Sequence, residues 1–422
     1  MRRASLFTIF LIVFIDLVGF GIVLPNQQLY GEKFGIANTF ALVMIGPAYS
    51  LFQFLFAPLL GRWSDRVGRR PVLIVSQAGT VVGFLLMYAS HFFADPSGAG
   101  AGAMFAIVLL YLSRIIDGIS GGNISIANAC VADITTPQDR AKGMGIIGAA
   151  FGIGFVAGPL IGAGTSVTLG LQAVPMVAAA FSLTAMILTI FTLPETRPPE
   201  TAPNAALKSD VRRFSFAAMI PTLTRPIIGG MVLMFFANGF SFAGMEQTFS
   251  LIIQFRLHLS EKETSWRSGL LFGVIGVIIV IVQGGLIRPL TKTFGEAKLV
   301  AAGPIIIAAG LILVGLAGLY IPAWPGFIGG SALMAVGSSL FNPSLASLIS
   351  RHAGKDEQGE ILGVNQGMAS LARGVGPILA GVLYASFAPE APYYASAGIC
   401  LVVGLVALAR QKQLRPPEVA PP

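Results

Sequence analysis

The sequence is poor in charged residues, since only 11% of its 422 residues are Asp, Glu, Lys or Arg. A soluble domain carries roughly 25% charged residues, because its surface must interact with water. Cysteine and histidine are also scarce, and the chain contains only Cys130, Cys400, His91, His258 and His352. No Cys-x-x-Cys pattern is present, and these absences argue against a soluble enzyme, a disulfide framework and a metal centre. We therefore expect no catalytic residues, no metal and no cofactor.

Long apolar segments are abundant instead, and 55% of the residues are hydrophobic. A helix needs about 20 predominantly apolar residues to cross the hydrocarbon core of a bilayer. Twelve segments meet this requirement, at residues 5–29, 39–60, 71–93, 102–132, 141–165, 171–193, 226–254, 266–287, 299–320, 324–348, 360–386 and 391–409. The sequence predicts an all-α integral membrane protein with twelve transmembrane helices.

One long polar stretch, from Pro194 to Arg225, interrupts these segments and divides them into six and six. We predict a first six-helix bundle at residues 1–195, a cytoplasmic linker at 196–225 and a second six-helix bundle at 226–422. The motif that begins at Gly158 and Pro159 recurs 218 residues later at Gly376 and Pro377. Such parallel repeats are typical of transporters with a central site between their halves.

The basic residues indicate the orientation of the chain in the membrane. With both termini cytoplasmic, the inner segments hold 21 Lys and Arg residues and the outer segments hold four. This bias follows the positive-inside rule, so the net charge of +8 reflects topology and predicts no nucleic-acid partner. We expect a multi-pass protein of the inner (plasma) membrane that functions as a monomer in the lipid bilayer.

Five charged residues lie in the interior of the predicted spans, away from their ends, and three of them are in the first half of the chain. Asp16 lies about 12 residues into span 1, which places it roughly 18 Å deep at 1.5 Å per residue. A carboxylate there must face a wet cavity, pair with another group or take up a proton. Asp16 is therefore either a proton carrier or the partner in a structural hydrogen bond. Arg114 and Asp117 share a face of span 4; they form a local ion pair, or Arg114 exchanges partners with Asp16.

The second half contains the other two charges. Glu246, beside Gln247, lies in span 7 towards its predicted outer end, where it serves as a second proton site, attracts a cation or faces a wet outer mouth. Arg373 lies 13 residues into span 11, one to two turns after Asn365 and Gln366. These polar residues line a cavity or connect neighbouring helices by hydrogen bonds.

Four motifs lie in or beside the predicted spans. The loop after span 2 contains Gly61, Asp65, Arg66, Gly68, Arg69 and Arg70. Span 5 contains Gly154, Gly158, Pro159 and Gly162. The other two are Asp16 to Pro25 in span 1 and Arg114 to Gly122 in span 4. Together these motifs resemble the major facilitator superfamily, and specifically its drug:proton antiporter branch and the tetracycline-exporter group. The span 5 motif is similar to the antiporter motif of that branch.

The resemblance implies that the loop motif is a gating latch in which arginines pair with Asp133 at the inner end of span 4. Gly61 and Gly68 would permit tight turns and close helix approach. The alternative is a solvated, positively charged cytoplasmic loop.

The resemblance further implies a secondary active transporter, which exports a small amphiphilic or drug-like compound in exchange for protons. Asp16, Arg114, Asp117 and Glu246 are then the residues expected to couple protons. The alternative is an uptake symporter or uniporter for a small metabolite. Three polar residues of the tetracycline exporters correspond here to Gly83, Ile279 and Ile307, so a more lipophilic compound than tetracycline is expected.

Overall fold

A computed structural model describes residues 6–36, 38–94, 101–135, 140–196, 216–353 and 358–414. Within these ranges twelve helices are long and apolar enough to cross a membrane, by length and composition. The predicted all-α membrane fold with twelve spans is confirmed. The chain separates into two compact units, of which unit 1 comprises residues 1–211 and 259–273, and unit 2 comprises residues 212–258 and 274–422.

The helices described in the first half of the chain are six long ones and two shorter extensions. They are α1 (Leu6–Val23), α2 (Gln27–Lys33), α3 (Thr39–Val67), α4 (Arg69–Ser90), α5 (Ala101–Ser120), α6 (Asn123–Ile134), α7 (Arg140–Leu169) and α8 (Ala173–Thr192). The two extensions are α2 and α6. A 3₁₀ turn at Leu24–Asn26, which contains Pro25, connects α1 to α2. The side chain of Asn38 caps α3 by accepting a hydrogen bond from the Ala41 amide at 3.2 Å.

The second half begins with a short helix and continues with six spans. The helices are α9 (Phe216–Leu223), α10 (Ile228–Leu257), α11 (Glu261–Ile281), α12 (Ile287–Phe294), α13 (Glu296–Leu316), α14 (Ala323–His352), α15 (Gln358–Ser386) and α16 (Ala391–Ala409). The start of α11 belongs to unit 1, where Gly273 lies against Leu160 of α7. The domain boundaries at residues 195 and 225 stay a prediction.

The structure corrects the predicted end of span 2. Helix α3 continues past Gly61 to Val67, so most of the predicted loop is helical and only Gly68 turns. Gly68 has φ = 110°, a conformation that glycine adopts without steric cost, and it ends α3 and begins α4. Gly295, with φ = 80°, makes the same kind of turn between α12 and α13.

Span 4 is interrupted, because α5 ends at Ser120 and α6 begins at Asn123. A break inside a bilayer is tolerated where other groups satisfy the backbone. The side chain of Gln53 donates a hydrogen bond to the Gly121 carbonyl at 2.9 Å, and the Ser76 hydroxyl donates to the Ser120 carbonyl. The break therefore places Asn123 at the first position of a new helix.

Each unit has its own apolar core. Buried residues of unit 1 include Ile22, Tyr30, Phe34, Phe84, Val72, Ile126 and Cys130. Those of unit 2 include Met231, Val300, Phe341, Leu345, Leu348 and Ile349. Large apolar side chains are also exposed, among them Phe7, Phe191, Leu405 and Phe387. Lipid is as apolar as these side chains, so their exposure is favourable in a bilayer.

Candidate functional site

Asp16 lies on α1 and contacts the start of α6. Its Oδ2 accepts a hydrogen bond from Nδ2 of Asn123 at 2.7 Å. Its Oδ1 is buried and has no hydrogen-bond partner among the residues that the structure describes. Sequence reasoning missed Asn123, although an amide directly after a Gly-Gly pair inside an apolar span is an available signal. Within the described residues, only one of the two carboxylate oxygens thus has a hydrogen-bond partner.

Arg114 and Asp117 form an ion pair on α5, with 3.3 Å between Nη1 and Oδ2 and only 2% of each side chain exposed. The Thr80 hydroxyl of α4 donates a hydrogen bond to Asp117. The guanidinium lies over the Phe84 ring, 5.3 Å from its centroid, in a cation–π contact. This local ion pair is one of the two alternatives predicted from the sequence. The other alternative, in which Arg114 changes its partner from Asp117 to Asp16, stays a prediction.

The two acidic sites are close enough to interact, since the charge of Asp117 acts on Asp16. Gln77, on the same helix as Thr80, is fully buried, and neither of its amide atoms has a hydrogen-bond partner within the described ranges. Unit 1 therefore contains a cluster of two carboxylates and one guanidinium, in which Arg114 and Asp117 are almost completely buried and Asp16 is partly buried. Such a cluster can take up one proton and rearrange its hydrogen bonds without leaving a bare charge in an apolar medium.

A second charged cluster surrounds the turn at Gly68. Arg69 contacts Asp65 at 2.8 Å, Nη2 to Oδ1, and contacts Asp133 at 3.0 Å, Nε to Oδ2. Its Nη1 also donates a hydrogen bond to the Ser64 hydroxyl at 2.8 Å. The structure thus brings Asp65, Arg69 and Asp133 together within unit 1.

The other residues of the loop motif lie around this cluster with different environments. Arg70 donates a side-chain hydrogen bond to the Ile190 carbonyl, whereas Arg66 is exposed. A β-carbon added at Gly61 would meet no atom within 4 Å. The expected close helix approach at Gly61 is therefore wrong, because this glycine lies inside α3 with open space beside it.

Glu195 is a residue of this cluster that sequence reasoning missed. Its two carboxylate oxygens accept hydrogen bonds from the backbone amides of Arg69 and Arg70, at 2.8 and 3.1 Å. These are the first two amides of α4, and a carboxylate at a helix N-terminus satisfies such donors and complements the helix dipole. The last residue of the predicted first bundle thus caps the helix that follows Gly68.

We expect Glu195→Ala to destabilise the protein by about 1 kcal/mol, because the first turn of α4 loses both acceptors and a favourable charge. Thermal unfolding of the purified protein measures the effect. Glu195→Gln is the matched control, since it keeps one acceptor oxygen, and its melting temperature should fall between the other two. Equal melting temperatures for Glu195→Ala and wild type would contradict the capping role.

Unit 2 contains a related turn with reversed charges. Glu296 follows Gly295, as Arg69 follows Gly68, and its Oε2 lies 3.7 Å from Nη1 of Arg351 at the end of α14. The Ser347 hydroxyl donates a hydrogen bond to its Oε1 at 2.6 Å. Arg288 and Lys292 stand where Gly61 and Asp65 stand in the first copy, so the sequence offered little sign of a second cluster. In unit 2 the acidic residue follows the turn and the basic residue is its partner, whereas in unit 1 the basic residue follows the turn and the acidic residue is its partner.

The glycines of the span 5 motif lie against α1. A β-carbon added at Gly158 would be 2.6 Å from Cα of Gly21, and one at Gly154 would be 2.9 Å from Cβ of Leu17. One at Gly162 would collide with the Ile22 carbonyl oxygen. The adjacent Pro159 lies inside α7. Glycine at every fourth position thus allows the two backbones to touch.

The polar residues predicted in spans 7 and 11 lie within unit 2. Glu246 and Arg373 attract each other electrostatically, and Arg373 also donates a hydrogen bond to Ser370 at 3.1 Å. Gln247 and Asn365 are both buried. The Gln366 side chain lies outside the described part of the structure.

Apolar helices that hold charged groups inside their spans are typical of membrane transporters, because intramembrane ionisable residues often mark ion and substrate pathways. The sequence matches the model of the Major Facilitator Superfamily over residues 9–319 and 286–422. The chain belongs to the Major Facilitator Superfamily, as its motifs predict.

The proteins that resemble this chain include two kinds of transporter-family relative. The chain is 32% identical over 383 residues to Major facilitator superfamily domain-containing protein 10 of Bos taurus, covering 85% of this chain and 75% of that protein. It is 29% identical over 386 residues to Tetracycline resistance protein, class E, of Escherichia coli, covering 89% and 86%. The crystal structure of the human organic anion transporter MFSD10 superposes with a TM-score of 0.69 at 25% identity, covering 95% of this chain and 98% of that one.

Proposed function

We propose that this transporter is a proton-coupled antiporter, which exports a small amphiphilic compound by alternating access. The observation that carries the proposal is Asp16, a carboxylate inside an apolar span with a single hydrogen bond from Asn123 and one unpartnered oxygen among the described atoms. Binding of a proton neutralises this group, and its release restores the charge. The two states differ in their cost inside the membrane, so they favour different conformations.

Arg114 and Asp117 adjust this equilibrium in the proposed mechanism. The Arg114–Asp117 pair is almost completely buried, and the Asp117 charge reaches Asp16. When Asp16 is charged, it competes with Asp117 for the guanidinium, and when Asp16 is protonated, the ion pair on α5 is undisturbed. Glu246, which faces the charge of Arg373, is the second proton site in this proposal.

The cluster at Gly68 serves as the cytoplasmic gate in this proposal. Arg69 holds Asp65 at the end of α3 and Asp133 at the end of α6 in one network. A network of this kind stabilises one conformation, and its loss lowers the barrier to the other.

In this proposal both termini are cytoplasmic, the protein lies in the inner membrane, and it works as a monomer.

The compound is expected to be more lipophilic than tetracycline, although tetracycline resistance proteins are among the relatives. Gly83 lies against α5, and a β-carbon there would be 3.0 Å from Cβ of Asp117, so a larger side chain requires a shift. Ile307 is 2% exposed, and Ile279 adds a second apolar side chain. The MFSD10 structure is named as an organic anion transporter, so organic anions belong in any screen of compounds.

A pH gradient imposed on proteoliposomes tests the proposal. The probes are amphiphilic compounds without a group that titrates between pH 5 and 8, so that protein-free liposomes do not accumulate them. Antiport predicts accumulation when the lumen is acidic, because protons leave as the compound enters. An uptake symporter accumulates the compound only when the outside is acidic, and a uniporter shows no dependence on the gradient.

A further inference from the structure

Unit 2 contains a small polar cluster on α10 and α14 that has no charged member. Nδ2 of Asn238 donates a hydrogen bond to Oδ1 of Asn342 at 3.5 Å. Nδ2 of Asn342 donates in turn to the Ser338 hydroxyl at 3.0 Å. Asn238 is 4% exposed and Ser338 is 8% exposed. Three neutral polar side chains therefore meet between these two helices.

This cluster occupies the position of the Asp16–Asn123 pair in the internal repeat. A β-carbon at Gly158 would approach the carbonyl oxygen of Val18, two residues after Asp16. A β-carbon at the repeated Gly376 would meet the carbonyl oxygen of Phe240, which lies two residues after Asn238. In each unit the partner is an asparagine, Asn123 in span 4 or Asn342 in span 10. An amide has thus replaced the carboxylate.

The replacement changes the chemistry that the position can perform. A carboxylate takes up a proton, whereas an amide stays neutral and offers a carbonyl acceptor and an NH₂ donor. Oδ1 of Asn238 is buried without a hydrogen-bond partner in the part of the chain that the structure describes. Buried acceptors are normally satisfied, so this position lacks an O–H or N–H donor.

We propose that Asn238, with Asn342 and Ser338, binds an uncharged hydroxyl or amide N–H of the transported compound. The inference rests on the proposed function, in that it assumes a small amphiphilic cargo. The two copies of the repeat then have different roles. The copy in unit 1 binds the proton, and the copy in unit 2 recognises a neutral donor group of the compound.

The test compares two probes that differ in one donor, 4-butylphenol and its methyl ether, by equilibrium dialysis against the purified protein. The wild type should bind the phenol about tenfold more tightly than the ether, because only the phenol donates to Asn238. Asn238→Leu and, independently, Asn342→Leu should bind both probes equally. Ser241→Ala is the matched control, since the buried Ser241 hydroxyl bonds to Ala237 in its own helix, and it should keep the preference.

Two outcomes would overturn the inference. One is a wild type that binds the phenol no better than the ether, and the other is a folded Asn238→Leu or Asn342→Leu protein that retains the tenfold preference. The proposed function fails separately, because it depends on the pH gradient. A donor preference without gradient-driven flux leaves the site intact and removes antiport, and the reverse result removes only the site.

Discussion

Asp16→Asn should abolish accumulation driven by a pH gradient while leaving exchange of the compound across the membrane intact. The amide is nearly isosteric with the carboxylate and can still accept the hydrogen bond that Asn123 donates at 2.7 Å. It cannot bind or release a proton in the working range of pH. The variant therefore resembles the protonated state permanently, and the step that requires deprotonation is lost.

The experiment measures two fluxes of one compound in proteoliposomes. Gradient-driven accumulation should fall to the level of protein-free liposomes, whereas counterflow of labelled against unlabelled compound at equal pH should continue. Asp16→Glu is the matched control, since it keeps a titratable carboxyl and should retain gradient-driven accumulation, at a lower rate. Undiminished accumulation by Asp16→Asn would assign proton coupling to another group, with Glu246 as the next to replace.

Gly158→Val should destabilise unit 1 by about 1–3 kcal/mol or more, the range for side chains forced into a packed interior. A β-carbon at this position would be 2.6 Å from Cα of Gly21. The atom that it meets belongs to the backbone of α1, which cannot move aside as a flexible side chain can. The helices α1 and α7 must separate, which also displaces Asp16 from Asn123. We expect a lower melting temperature together with a severe loss of transport.

Gly164→Val is the control for this substitution. Gly164 lies on the same helix, and a β-carbon there would meet no atom within 4 Å, so the change in helix propensity is matched without a collision. Its melting temperature should stay close to that of the wild type. If the two variants unfold at the same temperature, close packing at Gly158 is unimportant and the cost comes from valine in a helix.

The fold could be predicted because the bilayer imposes a simple rule on the sequence. Twelve apolar stretches of sufficient length produced twelve helices that are long and apolar enough to cross a membrane. The end of span 2 was predicted less well, since Arg62, Asp65 and Arg66 mark the end of the apolar segment but not of the helix. Charged residues continue a helix beyond the membrane until Gly68 turns it.

The partners within the clusters could not be predicted, because they are distant in sequence. Asn123 is 107 residues from Asp16, and Glu195 is 126 residues from Arg69. Hydropathy reports which residues are inside the membrane, but not which faces of two helices meet. The hydrogen bond from Asn123 and the cap provided by Glu195 both depend on that packing. The exchanged charges of Glu296 and Arg351 were missed for the same reason.

The most direct test of the account is a simultaneous measurement of protons and compound in proteoliposomes that contain a pH indicator. Proton-coupled antiport predicts that compound added outside makes the lumen of wild-type proteoliposomes more alkaline, because protons leave as the compound enters. Asp16→Asn should exchange the compound without any change of lumenal pH. Net movement of compound through the wild type with no accompanying change of lumenal pH would contradict proton-coupled antiport.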